Sequence, residues 1–117
     1  MATHGHVVKF VALPGKRDEL IKALRPMFEA VKSEPDTLLY MMHTCPTDVN
    51  AVWFYERYKD PAAFELHRTT KAHDDALAAN QTLLDPATEI HYLDMIDCKN
   101  NELLPASITK TPCDPPN

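Results

Sequence analysis

Two stretches concentrate the side chains of this sequence that could do chemistry. TLLYMMHT (37–44) carries Met41 and His43, and AVWFYERYKDPAAFELHRTTKAH (51–73) carries Trp53, Tyr55, Glu56, Phe64 and His67. Histidine has an ordinary pKa of about 6.5, so His67 or His43 can take up and return a proton near neutrality. Tryptophan, tyrosine, phenylalanine and methionine can stack on a planar molecule and keep water from it. Together these types suit a base beside an aromatic ligand.

Each also has a plainer reading. His67 could bond the third strand or a dimer interface, His43 could be a solvated strand-end residue, and Trp53 and Tyr55 could be core or interface. Glu56 reads as a buried structural partner of Arg57, Lys9 or a helix residue. His4, His6, His73 and His91 read as surface residues, and HDDA (73–76) as a charged helix surface. His67 and His73 are six apart, which on a continuous helix turns them about 120° from each other, so no metal site is expected from them.

The elements that must position these groups follow from patterning. VVKFVAL (7–13) is a β-branched and aromatic run closed by Pro14-Gly15, a first strand with its turn. Leu20, Ile21, Leu24, Met27, Phe28 and Val31 then recur at helical spacing among charged residues, which predicts an amphipathic helix of about five turns. Pro26 lies inside it, lacks an N–H and clashes with the preceding turn, so a kink is expected near Lys22 to Pro26. Glu34-Pro35-Asp36 ends it.

Strands over 37–44 and 51–58 form a hairpin, and Asp60-Pro61 begins a helix, with Asp as N-cap and Pro at the first helical position. Thr69 and Thr70 break that helix before it resumes over 72–84. A last strand runs over 88–97. Residues 1–97 are thus one domain, and 98–117 are a proline-containing tail, mobile or laid across a neighbouring chain. The fold class is α+β, a ferredoxin-like βαββαβ unit with an antiparallel sheet.

Both faces of the hairpin are apolar, with Leu39, Met41, Trp53 and Tyr55 on one and Leu38, Tyr40, Met42, Phe54 and Tyr58 on the other. Such a sheet is covered on both sides. One chain of 117 residues has helices enough for one side, which predicts a homodimer. The formal net charge of −5 and the absence of a Lys/Arg cluster argue against nucleic-acid binding. No apolar run suggests a membrane span or a leader, so a soluble cytoplasmic protein is expected. Cys45, Cys98 and Cys113 are widely spaced with no CxxC pair, and read as reduced thiols. With two glycines in all, Gly5 and Gly15, a Gly-rich phosphate loop is excluded.

The order of these parts resembles the antibiotic biosynthesis monooxygenase family of the dimeric α/β-barrel superfamily, which includes quinol monooxygenases. The likeness runs from residue 7 to about 97. It rests on the first strand and its Pro-Gly turn, the acidic-Pro turn before the second strand, the YE-x-Y-x-D end of the third strand, and a histidine nine residues after Tyr58. Asp36 stands where family members usually have glycine. A second histidine often follows the first by five residues; here that position is Ala72, and no role is carried to His73.

The resemblance implies two subunits whose sheets pack as a dimeric α/β barrel, each with a pocket between sheet and helices. It also implies oxidation of a phenolic, quinol or anthrone-like small molecule by O2, with no cofactor. A protein working this way supplies a base and a dry pocket. A hairpin register pairing Thr44 with Val52 sets His43 beside Trp53 and Met41 beside Tyr55. If that face meets the helices, His67 and His43 are the candidate catalytic bases, with Trp53, Tyr55, Met41 and Phe64 as substrate contacts. Shifting the register by one residue exchanges the faces and brings in Tyr40, Phe54 and Glu56 instead. An isomerase on the same fold and a non-catalytic small-ligand-binding dimer are the alternatives.

Overall fold

The computed structural model describes residues 4–99. The chain runs β1 (His4–Val11), α1 (Arg17–Leu24), α2 (Pro26–Val31), β2 (Thr37–Cys45), β3 (Asp48–Tyr58), α3 (Pro61–Arg68), α4 (Lys71–Asn80) and β4 (Glu89–Leu93). The four strands form one antiparallel sheet in the order β2-β3-β1-β4. This is the ferredoxin-like α+β arrangement expected from the sequence.

Gly15 makes the first turn, because its φ of 78° lies in the left-handed region that a side chain disfavours. Pro26 interrupts the predicted long helix and divides it into α1 and α2, with Arg25 between them. Arg25 keeps right-handed helical angles. The chain therefore bends without leaving the sheet, and Leu20, Leu24 and Met27 stay buried on one stripe. Leu20 and Leu24 join Val8, Ala12, Val52 and Phe54 in the core, with Tyr40 and Met42 packed at its edge.

The hairpin has the expected register, Thr44 opposite Val52 and His43 opposite Trp53, with an irregularity at Leu38 near the other end. The last strand is shorter than predicted. Its ladder ends at Gly5 opposite Leu93, and Ile96 beyond it is 88% exposed. Asp94 and Asp97 fit a strand poorly, which removes the pairing expected over 94–97. Most of the tail assigned to 98–117 lies outside the described residues. Cys98 is disulfide-bonded and Cys45 is a free thiol, so the expectation of reduced thiols fails at Cys98.

Strand pairing sorts the side chains onto two faces. His6, Glu56 and Tyr40 lie in one row, and Val8, Phe54 and Met42 in the next, on the face that meets the helices. Lys9, Trp53 and His43 form a row on the opposite face, with Val7, Tyr55 and Met41 beside them. No helix among the described residues is long and apolar enough to cross a membrane.

Candidate active site

A cavity of about 200 Å³ lies between the helix-facing side of the sheet and α1 to α4. Its walls are mostly apolar, with Leu24, Met27 and Phe64 among them, and its polar members are His6, His67, His73, Glu56, Arg68, Tyr40, Tyr92 and Asn80. Among the described residues no group of three or more His, Cys, Asp and Glu side chains is arranged to hold a metal ion.

His67 reaches this cavity because α3 starts at a fixed point. Asp60 caps the helix, its Oδ1 accepting from Ala63 N at 2.8 Å, and Pro61 pre-sets the first turn. Ala63 and His67, one turn apart, face inward, and His67 is 2% exposed. Its Nδ1 meets Glu34 Oε1 at 2.9 Å. Glu34 comes from the Glu-Pro-Asp turn that ends α2, and the same oxygen accepts from Thr37 Oγ1 at 2.7 Å. A carboxylate acceptor at Nδ1 selects the tautomer with its proton there, which leaves Nε2 as the acceptor of the neutral ring. The Tyr58, His73 and Tyr40 rings stand 5.2, 5.3 and 5.5 Å away, centre to centre, and hold the imidazole in place.

A second histidine–carboxylate pair lies further along the sheet. His6 Nε2 is 2.9 Å from Glu56 Oε1, and Tyr58 Oη donates to that oxygen at 2.5 Å. All three residues are buried. Burial and the charge of Glu56 push the Tyr58 hydroxyl far above its ordinary pKa, and burial does the same to Tyr40. Both phenols therefore stay protonated as hydrogen-bond donors.

α4 supplies the remaining polar wall. Thr69 ends α3 and Thr70 caps the start of α4: the Thr70 hydroxyl donates to His67 O at 2.9 Å and accepts from His73 N at 3.1 Å. Positions 73, 76, 77 and 80 then follow one helical stripe into the cavity. Three buried side-chain atoms of cavity-lining residues, His6 Nδ1, His73 Nδ1 and Asn80 Oδ1, have no hydrogen-bond partner among the described residues. Each such atom costs about 1–3 kcal/mol in an empty fold.

Burial lowers the pKa of His73, and the neighbouring His67 lowers it further. The folded state therefore prefers the neutral ring. The unfolded chain takes up this proton near the ordinary value of 6.5, and the fold only at lower pH. The stability that neutral His73 contributes is complete above 6.5 and declines as acid is added below it. Thermal melts taken from about pH 7.5 down to about pH 5 should show a Tm that falls less steeply in His73→Asn than in the parent. Equal slopes would assign the effect to other groups.

The predicted site residues divide between the two faces. His67, Phe64 and Glu56 border the cavity. His43, Trp53, Tyr55 and Met41 do not: they lie on the opposite face, where His43 Nδ1 is 3.1 Å from Trp53 O and Met41 is 40% exposed. The register was as expected, and it is the other face that meets the helices. Glu56 is buried as expected, and His6 and Tyr58 are partners of its carboxylate. His6 and His73 are not free surface residues. His6 shares strand parity with Val8, and His73 shares a helical stripe with Ala76 and Asn80, and those periodicities were the available signals.

A model of the antibiotic biosynthesis monooxygenase family matches residues 3–79. The chain belongs to this family. Among solved structures, one assigned to antibiotic biosynthesis monooxygenases from Chloroflexus aurantiacus is 27% identical with a TM-score of 0.72, covering 84% of this chain and 97% of its own. Another with the same assignment, from Caulobacter crescentus, is 27% identical with a TM-score of 0.77, covering 82% and 92%. A Mycobacterium tuberculosis protein, 20% identical over 84% and 99% with a TM-score of 0.77, shares the fold. No curated protein matches the chain. The family match spans β1 to α4 and so includes His67, Glu34 and most of the cavity walls.

Proposed function

We propose that the protein is a cofactor-independent monooxygenase that oxidises a phenolic, quinol or anthrone-like molecule with O2. The observation that carries this reading is the carboxylate-held His67 on the wall of a largely apolar cavity. His67 Nε2 takes the proton of a hydroxyl, or of an acidic C–H beside a carbonyl, and Glu34 stabilises the imidazolium that forms. The resulting anion is electron-rich enough to pass one electron to O2. Recombination makes a C–O bond. For an anthrone-like CH2, one oxygen atom ends as C=O and the other leaves as water with the two hydrogens. For a quinol, a ring C–H becomes a hydroxyl, two O–H groups become carbonyls, and one water is released.

Phe64 contacts the ring and the apolar walls limit water, which would protonate the anion. The test is O2 uptake by chelator-treated protein with a panel of phenols and quinols. One O2 consumed per product supports the reading, and conversion without O2 uptake, or no conversion across the panel, overturns it.

We also propose a homodimer whose second copy covers the face bearing Val7, Leu39, Met41, Trp53, Tyr55 and Leu93. Supporting it, Met41 and Leu93 remain 40% and 42% exposed on a face that no helix among the described residues covers. Sedimentation at micromolar concentration is expected to give twice the chain mass, and a stable monomer would remove the proposal.

A further inference from the structure

The cavity has two kinds of polar group. Glu34 occupies His67 at one nitrogen, whereas Asn80 Oδ1 has no hydrogen-bond partner among the described residues although Asn80 is 2% exposed. A buried amide oxygen accepts hydrogen bonds and cannot give one, so a matching ligand atom must be an O–H or N–H. His73 lies on the same stripe of that helix, two turns earlier, with its Nδ1 also buried and unpartnered among the described residues. The two Cα positions are seven residues apart, about 10 Å of helix rise. The Asn80 acceptor and a His73 ring nitrogen thus lie on α4 at one side of the space while His67 approaches from α3.

We propose that Asn80 is a specificity-determining residue that accepts a hydrogen bond from a second hydroxyl of the ligand, the first being the one presented to His67. This rests on reading the cavity as the ligand site. The ligand class is a one- or two-ring aromatic diol. Size argues the same way: an engineered cavity of about 150 Å³ holds benzene, so about 200 Å³ suits one or two substituted rings, which narrows the substrates proposed above to phenols and quinols and sets aside the three-ring anthrones. His73 meets such a ligand as a neutral ring, since burial lowers its pKa, and so contributes a hydrogen bond rather than a charge. A site built around an unpaired acceptor rejects a ligand that cannot fill it.

The probes are 2,6-dihydroxynaphthalene and 6-methyl-2-naphthol, which differ by a hydroxyl in place of a methyl of similar size. Affinities are measured calorimetrically without O2, so that binding is read apart from turnover. The parent protein should prefer the diol by about tenfold or more. In Asn80→Leu that preference should fall to parity or reverse, and the Tm of the ligand-free protein should rise, because an unpaired polar group has been replaced by an apolar one. Asn80→Ala gives the same comparison of ligands should the leucine disturb packing. Equal affinities in the parent, no binding of either probe, or a preference that survives in both variants would overturn the proposal. Selective, Asn80-dependent binding in a protein that consumes no O2 would sustain it while rejecting the oxygenase reading. O2 uptake whose preference for the diol is untouched by Asn80→Leu would do the reverse.

Discussion

His67→Gln is expected to remain folded and to lose turnover by about 10²- to 10⁴-fold, the contribution typical of a positioned general base. The glutamine amide can donate to Glu34 Oε1 as the imidazole Nδ1 does. It cannot take a proton near neutral pH. Alanine is the less informative change, because it would leave both a hole beside Tyr40 and Tyr58 and a carboxylate without its partner, costing about 2–4 kcal/mol. Oxygen uptake and thermal melts on the same Gln preparation separate the two effects. A glutamine variant with near-parental turnover would remove His67 as the base, and one that is inactive because it is unfolded would assign it a structural role.

The largest loss of stability is expected at Glu56. In Glu56→Leu the Tyr58 hydroxyl and His6 Nε2 lose their shared acceptor inside the protein. Removing one member of a buried, hydrogen-bonded set costs about 3–5 kcal/mol. For a domain of this size that lowers Tm by more than about 10 °C. Adding Tyr58→Phe should recover part of the loss, because the stranded hydroxyl disappears with its partner. Denaturant unfolding of the two single variants and the double variant gives the coupling directly. Additive losses with no recovery would mean that the hydroxyl and carboxylate stabilise the fold independently.

Much of this architecture was legible in the sequence because it depends on local rules. Asp60-Pro61 marked the start of a helix, Pro26 marked a bend in another where the structure has two helices, and the length of the loop between β2 and β3 suggested the register found without excluding a one-residue shift. The face was not legible. Both sides of the hairpin carry large apolar residues, so a period of two identifies two faces without saying which one the helices cover. That choice depends on β1 and the crossing of α1, through contacts remote in sequence. It moved His43, Trp53, Tyr55 and Met41 away from the cavity and brought Tyr40 and Glu56 to it. His6 and Asn80 were missed for a different reason. Polar residues on inward positions look like surface residues unless their neighbours at two or four positions are counted with them.

The Glu-Pro-Asp turn has a practical consequence for anyone remodelling this protein. It ends α2 and starts β2, and its Glu34 carboxylate also sets the direction of His67 on a helix 33 residues later. A short connection between two elements is ordinarily the place to insert a tag, a cut site or extra loop residues. Here a one-residue insertion would swing the carboxylate away and leave the imidazole free to rotate or change tautomer. The damage would register in the chemistry before it registered in the melting curve. The loop between β2 and β3, at the far end of the hairpin, is the safer site for such grafts.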